Sequence, residues 1–153
     1  MRKLFEAIYS KFEADTALAA AVTNLYNTYA PPKAVFPYIV FALISNTIDL
    51  DSSQNWEDYI IQFNIFDDSP SSGTLSDIYE LLKGDTAAGT GFDYFNLLID
   101  DYTTVVLERE SATLVYVDKV WQYNVTYSLR TVYSGESAVE KYCIHMYNLM
   151  GIY

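Results

Sequence analysis

The chain is poor in the residues on which most catalytic and metal chemistry depends. Its 153 residues include a single cysteine, Cys143, and a single histidine, His145. One cysteine excludes an intrachain disulfide and a thiolate metal cage, and it fits a reducing compartment. With one histidine, any serine or cysteine nucleophile would have to use that side chain as its base. Cys143 and His145 are two apart in a segment of helical spacing, so they point in different directions. Basic residues are scarce as well: nine Lys and Arg stand against 20 Asp and Glu, a net charge of -11. Such an anion repels phosphate, which excludes nucleic-acid recognition through a basic groove. Gly84, Gly89 and Gly91 form no phosphate loop, because no Gly-Lys-Ser/Thr follows them. The uncharged stretch 34–48 contains Pro37, Ser45, Asn46 and Thr47, and falls short of the about 20 apolar residues that span a bilayer. The first residues lack the apolar core of a secretory signal. A soluble protein made in the cytoplasm, without a membrane partner, is the expectation.

What the chain has in abundance is apolar and aromatic surface. Hydrophobic residues are 51% and charged residues 19%, enough for a sizeable core and too little charge for a disordered chain. The length suits one domain. Fifteen of the aromatics are Tyr, which joins a large contact area to a polar tip and suits positions that are part core and part interface.

Periodicity divides the chain into elements. Leu4, Phe5, Ile8, Tyr9 and Phe12 recur at offsets of three and four and predict an N-terminal helix. Asp15 opens a second, alanine-rich turn carrying Leu18, Ala21 and Val22, and a short extended piece is expected around Leu25-Tyr26. Pro31-Pro32 then holds the chain non-helical. Tyr38 to Ile44 is apolar on both faces, as in a strand covered on both sides. Glu57 to Phe66 alternates, with Tyr59, Ile61, Phe63 and Ile65 on one face, and should pair with it as a hairpin. Leu75, Ile78, Tyr79 and Leu82 mark a second amphipathic helix ended by Lys83 and Gly84. The small-residue loop Asp85 to Gly91 is expected to be mobile. Thr103 to Arg109 and Val120 to Thr131 read as further strands, the latter with Trp121, Tyr123, Val125, Tyr127 and Leu129 on one face. Ser137 to Glu140 has capping-box spacing for a last helix lined by Val139, Tyr142, Cys143, Met146, Leu149 and Met150.

This order predicts an α+β two-layer sandwich: a mainly antiparallel sheet of about four to five strands packed by two helices, plus a short C-terminal helix. Residues 1–133 form the domain. Residues 134–153 form an extension that docks on the sheet or on a neighbouring subunit.

Candidate chemistry is thin. The run Asp49 to Glu57 places oxygen ligands at alternate positions, but the EF-hand pattern needs Gly and an acid where Gln54 and Ile60 stand; an acidic hairpin turn is the simpler reading. Glu108 and Glu110 share a predicted strand face with no sign of a cleft between them. No catalytic, cofactor or metal residue is assigned, and no enzyme activity or cofactor is expected.

Leu4 with Ala7-Ile8-Tyr9, then Asp15, Leu18, Tyr26, Ala30-Pro31-Pro32, and Phe36-Pro37-Tyr38-Ile39-Val40-Phe41 with Ile44-Ser45, form an ordered set. That set resembles the tail completion (tail terminator) proteins of long-tailed bacteriophages, over about residues 1–133. The resemblance implies a protein of the virion tail or neck, monomeric when made, that assembles as a six-fold ring on the tail tube. Its implied partners are copies of itself, the tail tube protein and a head-side neck or stopper protein, and DNA passes through the lumen without specific binding. Tyr142, Met146, Leu149 and Met150 are then expected intersubunit contacts, with docking on the chain's own sheet as the alternative. Asp49, Asp51, Glu57 and Asp58 of the hairpin turn, or else the Asp67-Asp68 corner, are the expected lumen-facing acids, since carboxylates repel passing phosphates; the competing reading is that the charge keeps the monomer soluble. The rival readings are another head-tail joining protein and a cytoplasmic small-ligand-binding domain.

Overall fold

A computed structural model of the protein describes residues 1–50 and 54–135. Helix α1 (Arg2–Ala14) buries Leu4, Ala7, Ile8 and Phe12, the stripe that an i, i+3/i+4 spacing places on one side. The flanking rings of Phe5 and Tyr9 meet Phe41 edge-on at 5.6 and 5.3 Å. Asp15 ends α1 and opens α2 (Thr16–Ala21), accepting the Leu18 N–H at 3.2 Å, as an N-cap carboxylate does.

The strands are β1 (Leu25–Asn27), β2 (Tyr38–Leu50), β3 (Asn55–Asp67), β4 (Tyr102–Val117) and β5 (Val120–Tyr133), with α3 (Gly73–Lys83) between β3 and β4. They form one mixed sheet in the order β1-β2-β3-β5-β4. β1 runs parallel to β2 and every other pair is antiparallel. The helices and the sheet share a single apolar core, so the architecture is α+β in two layers. The alternation expected of β3 sets its register. Tyr59, Ile61, Phe63 and Ile65 face the helices opposite Leu129, Tyr127, Val125 and Tyr123 of β5, and a slip of one residue would turn the whole row outward. Phe63 sits at the centre, its ring 4.8 Å from Phe92, 5.7 Å from Tyr127 and 6.2 Å from Phe41.

Four features depart from the sequence reading or fall outside it. The strand predicted over Tyr38 to Ile44 is covered on both faces only at Ile39 to Phe41. It continues to Leu50, and from Ile44 onward it is exposed, because no helix reaches over that end. On the face away from the helices, Phe36 and Phe66 stack on Tyr38 at its beginning, and Tyr26 meets Tyr38 edge-on. β4 runs on to Val117, well past Arg109, and returns through Asp118-Lys119, both at positive φ (52° and 64°). That conformation matches the twist of a two-residue hairpin, yet neither residue is the Gly or Asn that would have announced it.

The loop expected to be mobile is instead tied down. Lys11 Nζ donates to the Gly89 carbonyl at 2.8 Å and the Gly91 N–H donates to Asp15 at 2.8 Å. The Gly84 backbone, at φ 70°, crosses so close that a Cβ there would lie 2.1 Å from the Thr90 carbonyl oxygen. The short C-terminal helix expected from Ser137 onward lies outside the described residues.

Phe63→Ala should lower stability by about 3–5 kcal/mol, the cost of emptying a large site in a core that cannot collapse around it. Urea unfolding of both proteins at neutral pH measures this, and a loss under about 1 kcal/mol would show that the ring cluster is not the centre of the core.

Candidate functional site

The register of β3 and β5 puts the two long hairpins at opposite ends of the sheet: Trp56 lies opposite Val132 at one end, and Asp67 opposite Trp121 at the other. Each end exposes apolar side chains. At the β2–β3 end these are Ile44, Ile48 and Leu50, the last 71% exposed; at the β4–β5 end they are Leu114, Tyr116 and Val117. Ile48 and Leu50 border an open hollow of about 370 Å3 completed by Glu57, Tyr102 and Tyr133. At the far end the Tyr116 and Trp121 rings lie 4.5 Å apart.

The acids expected to act together are divided between the two faces. Asp49 and Asp58 lie on the face away from the helices, and both pair with Arg130, at 3.6 and 2.9 Å. The Arg130 guanidinium also lies 5.1 Å from the Trp56 ring. Glu57 points to the other face and accepts a hydrogen bond from the Tyr59 hydroxyl. Burial, and then that bond to Glu57, push the Tyr59 hydroxyl well above its ordinary range. Asp51 lies outside the described residues, as do Tyr142, Met146, Leu149 and Met150. Arg130, on the face of β5 away from the helices, thus sits between two of the four acids.

The face away from the helices carries a polar ladder. Gln62, Asn64, Gln122, Asn124, Thr126 and Ser128 are half-buried along β3 and β5, and Gln122 donates to Asn124 at 2.6 Å. Among the described residues no helix covers this face.

Two polar clusters escaped the sequence reading because their members are far apart along the chain. The Tyr127 hydroxyl, fully buried, donates to Asp93 at 2.6 Å. Arg109 approaches the same carboxylate at 3.2 Å and donates to the Tyr79 hydroxyl. Burial first, then the hydrogen bond to Asp93 and its charge, raise the Tyr127 hydroxyl far above the usual tyrosine range. A phenol so enclosed has no access to a substrate. The second cluster is centred on Lys11, which lines a cleft of about 540 Å3 with Asp15, Phe95, Leu97 and Leu98. Burial lowers the Lys11 pKa, and the charge of Asp15 offsets part of that. Neither lysine nor loop carried a motif. Among the described residues, no group of three metal-ligating side chains is placed to hold an ion, and no helix is long and apolar enough to cross a membrane.

No protein-family model matches the chain, and no curated protein matches it. Among solved structures, a chain of the "Virion of native gene transfer agent (GTA) particle" superposes with a TM-score of 0.64. The two are 17% identical, and the match covers 82% of this chain and 91% of that one. At that identity the likeness is one of fold.

The Tyr127 shift has a definite sign. Above about pH 10 the unfolded tyrosine ionises while the folded one keeps its proton, so the folded state binds more protons and stability falls as pH rises. Tyr127→Phe should therefore lose less stability than the parent between about pH 9 and 11. Urea midpoints at the two pH values decide this, and an equal loss in both proteins would show that the fold does not hold the Tyr127 hydroxyl protonated.

Proposed function

We propose that the protein is a structural component of a phage-like virion, and within it the tail terminator: a ring that ends polymerisation of the tail tube and forms the joint to the head. The observation that carries this reading is the shared fold with a chain of a gene transfer agent virion, over 82% of this chain and 91% of that one. The ordered motif set of residues 4–45 supports the finer assignment.

The geometry suits a closed ring. Such a ring needs a heterologous contact, in which one surface meets a different surface on the next copy and the rotation closes. The two hairpin ends supply unlike surfaces: Ile48 and Leu50 over an open hollow on one side, and Tyr116 with Trp121 on the other. Aromatic and aliphatic anchors of this kind dominate interface energetics. The net charge of -11 gives the ring an inner wall from which DNA slides free, and the Asp49 to Asp58 hairpin is the part we place toward the lumen. Arg130 neutralises some of that wall at Asp49 and Asp58, so the repulsion rests on the remainder of the net negative charge. A ring structure with this hairpin on its outer wall removes the lumen role and leaves the ring itself intact.

Leu50→Lys and Tyr116→Lys should each abolish ring formation, because either change breaks one half of every contact, while the monomer keeps its circular dichroism spectrum. Negative-stain microscopy and size-exclusion chromatography read the outcome. Rings that persist in both variants would place the contact elsewhere. Particles lacking the protein test the function: tails of uncontrolled length or heads left unjoined are expected, and normal particles would overturn the assignment.

A further inference from the structure

The cleft of about 540 Å3 between α1, α2 and the segment that follows α3 has a buried floor and an open rim. Ala7, Lys11, Asp15 and Leu97 form the floor, each at most 8% exposed. Ala14, Ala17 and Leu98 stand exposed at the rim. The walls are braced from within the chain. Lys11 Nζ donates to the Gly89 carbonyl at 2.8 Å and the Gly91 N–H donates to Asp15 at 2.8 Å. Gly84 and Gly91 cross too closely for a Cβ on either. Alanine at 7, 14 and 17 leaves the helix side of the cleft without bulk. A preformed hollow of this size, mainly apolar with a few fixed polar groups, has the character of a small-molecule site.

The two charged groups of the floor decide what kind of molecule fits. Burial lowers the Lys11 pKa, and the Asp15 charge beside it offsets part of that, so the floor already holds one charge of each sign. A charged ligand would enter a buried place with no opposite charge left to meet it. The chain's net charge of -11 further repels anions. The fitting ligand is therefore neutral. Its polar end follows from what the floor offers. The two Asp15 oxygens already accept from the Leu18 and Gly91 N–H groups. The Lys11 ammonium has three N–H groups and no acceptor. One donates to Gly89, and the centre of the Phe95 ring lies 3.8 Å from the nitrogen. Among the described residues no second oxygen accepts from it, and a carbonyl oxygen on a ligand would. Phe95, Leu97 and Leu98 offer the apolar wall for the rest of such a molecule, and an aromatic ring favours a flat partner.

We propose that this cleft is a binding site for a small uncharged molecule with a flat apolar body and one carbonyl-type acceptor. Lys11 holds the acceptor by a hydrogen bond, while Phe95 and Leu98 cover the body. The cleft shares no residue with the hollow at the β2–β3 end, so the inference stands whether or not the hairpin ends join copies into a ring.

Prodan, a neutral naphthalene carrying a propionyl ketone, matches this chemistry, and its emission moves to the blue when it leaves water. Added to the full chain, it should bind saturably with a blue-shifted emission. Ala14→Trp and Ala17→Trp place a large ring in the cleft from exposed rim positions. Each should abolish the shift while the circular dichroism spectrum stays that of the parent. An analogue with propyl in place of propionyl should compete about ten-fold less well, the worth of a hydrogen bond to a charged donor. An analogue with a carboxylate there should also bind more weakly than the ketone. Three results would overturn the proposal. The first is the absence of a saturable shift. The second is a shift that both tryptophan variants keep, which would place the probe on the apolar hairpin ends. The third is a propyl or carboxylate analogue that binds as tightly as the ketone.

Discussion

An α-helix advances about 1.5 Å per residue and a β-strand about 3.3 Å. That difference governs the layout of this protein. α1 has 13 residues, and so has β2, yet the helix is less than half as long. The three short helices among the described residues therefore cover only the middle of a sheet whose strands β3, β5 and β4 run to 13, 14 and 16 residues. The core forms where the two layers overlap, around Phe63, Phe41 and Tyr127. Beyond the overlap, the strands hold one another by backbone hydrogen bonds and leave apolar side chains to solvent at both ends. Two hairpins of this length would be a liability in a protein meant to remain alone, since exposed apolar strand ends invite association. In this chain the same ends are the apolar surface that the two layers leave uncovered.

The edges of the sheet are guarded against open-ended strand pairing. β4 forms one edge, and its pairing with β5 is interrupted twice, between Thr104 and Val106 and between Arg109 and Ser111. Bulges of this kind twist an edge and hinder open-ended strand addition. The other edge is the three-residue β1, too short to template a further strand. With both edges blunted, the exposed apolar side chains lie mainly at the two ends of the sheet. A high negative charge adds a general repulsion between free copies.

The Lys11 region shows how a polar group can organise a loop that lacks a motif. One ammonium and one carboxylate, from Lys11 and Asp15, hold Gly89 and Gly91, and the crossing of Gly84 with Gly91 needs the absence of a Cβ at both. The loop's composition suggested freedom, because small residues lose the most backbone entropy on folding. Two charged side chains from α1 and its cap supply the compensating contacts, and they lie more than seventy residues away in the chain.

Periodicity in the chain was enough to specify α1, α3, β3 and β5, because each buries one face and its apolar residues must then recur at 3.6 or at 2 positions. The Asp15 cap, the Gly84 stop and the predominance of antiparallel pairing follow from the same local rules. What local rules could not supply was how far β2 and β4 continue once burial ends, since an exposed strand carries no hydrophobic pattern and is held by its partner's backbone alone. Nor could they pair Arg130 with Asp49 and Asp58, Tyr127 with Asp93, or Lys11 with the loop at Gly89. Those contacts join residues distant in sequence, and only the packing of sheet against helices brings them within hydrogen-bonding distance.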